Sequence, residues 1–387
     1  MEVRVSANTH VDTREQQVRI IRENPDTYLQ VVKPYLKFGE EKDPEKHYPH
    51  ARKAIEEMLA RGVMVQDDRE ALYVYSQVNL ATGDEYLGLI CNVSSGDYFE
   101  GRIKVHENTL TEKENQLIDH IRICGAIGEP VLLTHFDDNS IESLLQETIK
   151  GQEPDIDFVD EINRRHLIYR VTDPERITKF RQAYRGLRDF YIADGHHRSA
   201  ASAGFYEREK GEHGHYLAFL VPARHLHIDS FYRAFKSATE FNELTFADKL
   251  QQHFEISASA EPVIPSQAME FGMRTAKGWY RLRFTGDLNG RDAVKTLDVS
   301  ILEDFVFSEI FHIKDSKTDK QLTYIKGNTP LHSVEKDLDS GLYDLVFTVY
   351  PCDINQVFRI ADEGLIMPPK STYIEPKLRT GLTVQLV

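Results

Sequence analysis

The stretch Phe190-Tyr191-Ile192-Ala193-Asp194-Gly195-His196-His197-Arg198-Ser199-Ala200-Ala201-Ser202-Ala203 constrains this chain more than any other. Its opening aromatic and β-branched run favours a short buried strand. Its closing part is rich in Ala and Ser, which suits a helix packed closely on a neighbour. Between the two, an acid, a glycine, two imidazoles and a guanidinium share one turn. A strand feeding a helix in this way makes an anion site. The glycine lets the backbone approach a ligand, and the first N–H groups of the helix point at it. Arg198 and the two histidines supply charge and directed donors. A capping role for Asp194 would explain the acid alone. It would not explain two histidines and an arginine at a helix start.

At 387 residues the chain exceeds most single cores, so two domains are expected, or one elaborated by insertions. Elements around the turn mix helices and strands without regular βαβ alternation. A helix is read over 13–23, a polar loop over 34–47 and a helix over 50–61. A hairpin of 72–78 and 86–93 follows, then an extended run from 103 to 109 leading into a helix over 112–123. Beyond it come a strand at 131–134, a helix at 137–151, a loop to Asp160, a strand at 167–171 and a helix at 174–184. After the turn, strands are read at 216–221 and 226–228, and composition shifts near Phe241. The remainder reads as a helix (246–253), strands near Met273 and over 279–284, a long amphipathic helix (297–311), strands at 322–325 and 342–350, a helix (354–362) and a final strand (382–387). The pattern predicts an α+β fold of mixed sheets with flanking helices rather than a doubly wound sheet. A soft boundary is placed near residue 240, dividing 1–240, which holds the turn, from a C-terminal α+β portion, 241–387.

A formal net charge of −15 argues against a nucleic-acid or anionic-membrane surface, while leaving room for a local anion pocket. No charged-then-apolar leader and no membrane-length apolar run is present. Cys91, Cys124 and Cys352 are far apart and lack any Cys-x-x-Cys spacing. Together these features predict a cytoplasmic protein.

Neither common nucleotide fingerprint occurs: there is no Gly-x-x-x-x-Gly-Lys-Ser/Thr and no Gly-x-Gly-x-x-Gly. Pro369-Lys370-Ser371-Thr372 mimics only the end of the first, with prolines where glycines would be needed. His225 and His227, two apart, would share a face of a strand, but no third metal ligand is in view, and no metal-ligand set is named. What remains is the anion turn and a second candidate, His106-Glu107. Phosphoryl transfer needs preorganised donors around the transferred group and a carboxylate for the acceptor's proton. Gly195, His196, His197 and Arg198 meet the first need, and Glu107 or Asp194 the second. Pairing of Glu107 with Lys104 or Lys113 at a strand end is the competing explanation. Lys370, Lys377 and Arg379 read as solvated tail charge.

Several motifs in order along the chain resemble the bacterial domain-of-unknown-function family 1015. They are Val105-His106-Glu107, Tyr191-Ile192-Ala193-Asp194-Gly195-His196-His197-Arg198 with its small-residue helix, Lys317-Thr318-Asp319-Lys320, and Met367-Pro368-Pro369-Lys370-Ser371-Thr372-Tyr373. Where that family opens with a Pro-Tyr-Asp turn, this chain has Asn8-Thr9-His10-Val11-Asp12. The Asp-Gly-His-His-Arg turn is separately similar to the phosphate-binding turn of the ParB/sulfiredoxin-like superfamily, which includes nucleotide hydrolases and free-serine kinases. That resemblance implies a ParB/sulfiredoxin-like core around 190–203. It also implies nucleotide phosphates bound by residues 194–198, with Glu107 as base; Gly195, His196, His197, Arg198 and Ser199 are the candidate phosphate-binding residues.

The combined expectation is a small-molecule phosphotransferase, in its narrower form a kinase of free L-serine or a similar hydroxylated metabolite. ATP or ADP would be the donor, with Mg²⁺ bridging the phosphates. Glu107, His197 and Asp194 are the candidate proton-handling residues, with His106, Lys113 and Lys370 as further candidates. Two other classes compete: a nucleotide- or phosphometabolite-binding regulator without turnover, and a phosphatase or nucleotide hydrolase. No nucleic-acid or membrane partner is expected. Sulfiredoxin-type chemistry ranks last, because no cysteine lies near the turn in sequence.

Overall fold

The computed structural model describes residues 13–38, 43–210, 214–239 and 241–387. The Asn8–Asp12 segment lies outside them. The protein is α+β, as the mixed pattern predicts, and divides into two compact units. One unit comprises the chain through Leu226 together with Pro376–Val387, and the other is His227–Glu375. The boundary expected near residue 240 therefore falls inside the second unit. The reason is that Phe231–Phe235 is an inner strand of that unit's main sheet.

The first unit is built on the strands β1 (Leu72–Asn79), β2 (Glu85–Ser94), β3 (Ile103–Lys104), β4 (Ala126–Ile127), β5 (Val131–His135), β6 (Ile156–Val159), β7 (Arg164–Val171), β8 (Phe190–Asp194) and β9 (His215–Pro222). Eight of them form one sheet in the order β3-β8-β5-β9-β2-β1-β7-β6. Its central members read as continuous apolar runs: Val131, Leu132 and Leu133 in β5, and Tyr216 to Val221 in β9, are all buried. Strands buried on both faces take this composition, whereas β7 alternates buried and exposed residues towards the edge. β6, read from sequence as part of a loop, is the edge strand, and its burial alternates as well.

Two neighbours of β8 fix the site. β3 runs parallel to it, with Ile103 opposite Phe190 and Lys104 opposite Tyr191. β5 runs antiparallel, with Thr134 opposite Tyr191. Parallel strands end at the same edge of a sheet, and an antiparallel neighbour begins there. The chain leaving β3, the turn leaving β8 and the chain entering β5 are thus delivered to one place. The helix His196–Lys210 follows the turn and packs on the helix Thr111–Cys124, where Arg208 donates to Asn115 at 2.6 Å.

Residues Pro44–His47, read as loop, open the helix Pro44–Ala60: Pro44 takes the first helical position, where its missing N–H has no consequence. The first helix, Arg14–Glu23, carries a full capping box between Thr13 and Gln16.

The second unit holds β10 (His227–Asp229), β11 (Phe231–Phe235), β12 (Phe254–Ser259), β13 (Glu270–Thr275), β14 (Gly278–Phe284), β15 (Leu322–Lys326), β16 (Leu345–Val349) and β17 (Tyr373–Glu375). Six form an antiparallel sheet in the order β12-β14-β13-β16-β11-β15, and β10 pairs with β17. Phe271, Leu282, Leu345 and Phe347 of this sheet pack with Ile301, Val306 and Phe307. The segment read as one long helix over 297–311 is a short α-turn, Asp298–Leu302, passing into π-helix over Glu303–Ser308. The helix Leu331–Asp339 was not anticipated. In the first unit, β18 (Gln385–Leu386) pairs with β4. Among the described residues no helix is long and apolar enough to cross a membrane.

Candidate functional site

Gly195 adopts φ +99°, a conformation that L side chains rarely take, and this sharp turn lets the helix begin at His196, directly after β8. The Ser199 N–H donates to the Gly195 carbonyl at 2.9 Å, closing the first helical turn. N–H groups in the first turn of a helix have no acceptor within the helix and carry its positive dipole end.

The charges around the turn are paired. Arg198 Nη2 donates to Asp194 Oδ2 at 2.6 Å, and Nη1 reaches both the Glu129 carboxylate and the Pro130 carbonyl. Lys377 Nζ donates to the other Asp194 oxygen at 2.6 Å. The guanidinium folds back over Gly195, where an added Cβ would meet its Nη2 at 2.8 Å. Two acids and two cations thus form a compact neutral cluster at the edge where β8 ends and β5 begins.

On the other side of the turn lies the segment that follows β3. Glu107, with 44% of its side chain exposed, places Oε2 at 3.5 Å from His196 Nδ1. The His106 ring is buried and meets the His196 ring edge-on, with centroids 4.4 Å apart. The His106 N–H donates to His196 Nε2 and the Leu110 N–H to His197 Nδ1, each at 3.4 Å. Burial holds the His106 imidazole down at about 4. Burial, with His106 beside it, holds His196 well below the usual histidine range, against the opposing pull of Asp194. Both rings are therefore neutral at pH 7. The charge expected of His196 is absent, because so little water reaches the ring.

The turn residues Asp194, Gly195, His196, His197 and Arg198 and the upstream pair His106-Glu107 are thus brought together. Lys104, considered as a partner for Glu107, has its ammonium 3.9 Å from the Asp189 carboxylate. Ser199, expected to face phosphate, points into the core: it is fully buried, with Oγ 2.8 Å from the Tyr216 hydroxyl. Lys113 stands exposed on the first turn of the helix that begins just past Leu110. Lys370 belongs to the second unit, where its ammonium lies over the Phe231 ring and its carbonyl accepts from Arg233 at 3.0 Å. His225 and His227 do not share a strand face. His225 ends a 3₁₀ turn and pairs with Glu142 at 2.8 Å, while His227 opens β10. Sequence reasoning missed Glu129 and ranked Lys377 as surface charge. Their link to Asp194 and Arg198 runs through tertiary structure alone.

No curated protein matches the chain. Among solved structures, a conserved hypothetical protein from Pyrococcus furiosus is 14% identical at a TM-score of 0.35, covering 74% of this chain and 90% of its own. A free serine kinase in complex with AMP is 16% identical at a TM-score of 0.37, with coverage of 74% and 87%. SbnI from Staphylococcus aureus, with a C-terminal truncation, is 11% identical at 0.40, with coverage of 77% and 87%. The family model described as "Protein of unknown function (DUF1015)" matches residues 2–300, well over half of the sequence, and the chain belongs to that family.

Proposed function

We propose that the protein transfers a phosphoryl group from a nucleotide to the hydroxyl of a small metabolite, with free L-serine or a similar compound as acceptor. The observation that carries this reading is one juxtaposition. A helix N-terminus opening on a left-handed glycine stands beside a solvent-reaching carboxylate, Glu107, 3.5 Å from the first imidazole of that helix. Phosphoryl transfer consists mostly of positioning and charge stabilisation, with one base on the acceptor side. Nucleotide phosphates would take the N–H groups of the turn and exchange with the Asp194 and Glu129 carboxylates for Arg198 and Lys377. Glu107 would receive the acceptor's proton, and His197, half-buried on the same turn, is the second candidate for it. Mg²⁺ would arrive with the phosphates as a hard, oxygen-seeking cation, and Asp194 and Glu129 are the carboxylates of the cluster that suit it.

Phosphorus NMR of the protein with ATP or ADP, Mg²⁺ and a pool of hydroxylated metabolites including L-serine tests the reading. A new phosphomonoester signal is the expected result. Glu107→Gln is expected to lower kcat by roughly 10²-fold or more, the usual contribution of a positioned base. Turnover that survives Arg198→Ala would overturn the site assignment. Thermal stabilisation by nucleotide without consumption would favour a regulatory protein, and phosphate release without acceptor a hydrolase.

A further inference from the structure

We propose that His106, Glu107 and His196 form a binding site for a divalent first-row transition-metal ion of the zinc class, with at least one coordination position open to solvent. This is the one group of histidine, cysteine and carboxylate side chains among the described residues whose ligand atoms all lie close enough, within 4.8 Å of one another. Tetrahedral bonds of about 2.0–2.2 Å hold ligand atoms roughly 3.3 Å apart. The Glu107–His196 separation of 3.5 Å is already at that spacing, so a modest rotation of His106 completes the set.

A second observation points to a ligand. Both ring nitrogens of His106 are buried and have no hydrogen-bond partner, and no other side chain among the described residues has two such atoms. A neutral imidazole carries one donor and one acceptor, and burying both unmet is unfavourable. Its edge-on contact with His196 satisfies neither. A metal ion would engage one nitrogen, and unprotonated imidazole is the form that binds metals.

The scaffold explains how sequence neighbours converge. His106 and Glu107 lie past the end of β3, outside the pleat that would send adjacent side chains to opposite faces. His196 arrives from β8, the parallel partner of β3. The nitrogen that faces Glu107 is His196 Nδ1; coordination there moves the ring proton to Nε2, whose contact with the His106 N–H is 3.4 Å long and therefore weak enough to give up. Two imidazoles and one carboxylate suit Zn²⁺, Co²⁺ or Ni²⁺, whereas Mg²⁺ keeps to oxygen ligands. Three protein ligands leave room for water or a substrate oxygen. Glu107, being exposed, provides the route in. With the ion bound, Glu107 is a ligand and the acceptor's proton falls to His197, the second candidate above; the site itself requires neither nucleotide nor phosphoryl transfer and is tested without either.

The test uses the full chain, stripped with chelator and titrated by calorimetry with Zn²⁺, Co²⁺ and Mg²⁺ in the absence of nucleotide. One Zn²⁺ per chain is expected, bound at least about 100-fold more tightly than Mg²⁺, and Co²⁺ should give the intense visible absorption of a four- or five-coordinate ion. His106→Leu removes two unmet buried polar atoms and should fold as well as the native chain. It is expected to lose the Co²⁺ spectrum and at least roughly tenfold in Zn²⁺ affinity. Glu107→Gln, at an exposed position where folding is not at stake, should weaken Zn²⁺ likewise. Zn²⁺ binding unchanged in both variants, or no tighter than Mg²⁺ binding, would overturn the proposal, since metal held by surface histidines survives both substitutions.

Discussion

Gly195 joins the conformation of the turn to its chemistry. With φ at +99° and the Arg198 guanidinium folded over it, the position has neither the backbone freedom nor the space for a Cβ. Gly195→Ala is expected to lose on the order of 1–2 kcal/mol from the left-handed conformation alone. It should also displace Arg198 from Asp194 and Glu129, and urea denaturation measures the total. In the second unit, Asp298 is a buried carboxyl that both accepts from the Met269 N–H, at 2.9 Å, and opens a short helix. Burial pushes its pKa up to about 7. Between the unfolded value near 3.8 and this one, the folded chain holds a proton that the unfolded chain releases, so stability falls as pH rises through that window. Asp298→Asn keeps an acceptor for Met269 and removes the titration. Its stability relative to the native chain should climb between about pH 4 and pH 7, by up to about 4 kcal/mol. A difference that stays flat with pH, read from urea midpoints, would sink this account.

Among elements, β8 and the helix after it were legible because apolar composition, a glycine and a small-residue run coincide within one window. The α+β class followed from the irregular alternation of such windows. β6 was not legible: Ile156-Asp157-Phe158-Val159 lies among acidic residues and shows its alternation only once β7 supplies a partner. The long helix expected over 297–311 has the apolar pattern of a helix, and no local signal announces that its second half widens to π geometry. Ser199 misled because a polar residue at a helix start resembles a ligand contact, whereas its periodicity carries it to Tyr216. The meeting of Glu107 with His196 depends on β3 lying parallel to β8, a pairing that sequence does not display. Close approach of elements also depends on Gly88 in β2, where a Cβ would run into the Leu220 carbonyl of β9. Gly88→Ala is expected to destabilise the first unit by about 1–3 kcal/mol, the usual range for overpacking, as measured by thermal melting.

At the scale of the whole molecule, the second unit interrupts the first along the chain, and the interruption begins and ends at one place. β10 and β17 pair antiparallel with His227 opposite Glu375, so the two ends of the insertion lie about 5 Å apart. A chain joining Leu226 to Pro376 through a short glycine-rich linker is therefore expected to fold on its own. Cooperative melting and retention of the Lys377–Asp194 contact would show it, while a molten or aggregated product would count against it. The boundary near residue 240 was misplaced because the change in composition marks the end of β11, not the start of its unit. No local pattern in Pro376–Val387 reveals that this segment returns to the earlier sheet.

That return sets an order of events during synthesis. Asp194 emerges from the ribosome early and can pair at once with Arg198, four residues on, but its second cation is encoded 183 residues later. The strand that completes the pairing with Ala126 and Ile127 comes later still. Until the second unit has been made, Asp194 lacks its contact with Lys377 and β4 its pairing with β18. The candidate site is thus finished last, although every residue of it other than Lys377 has been translated by position 198 of 387.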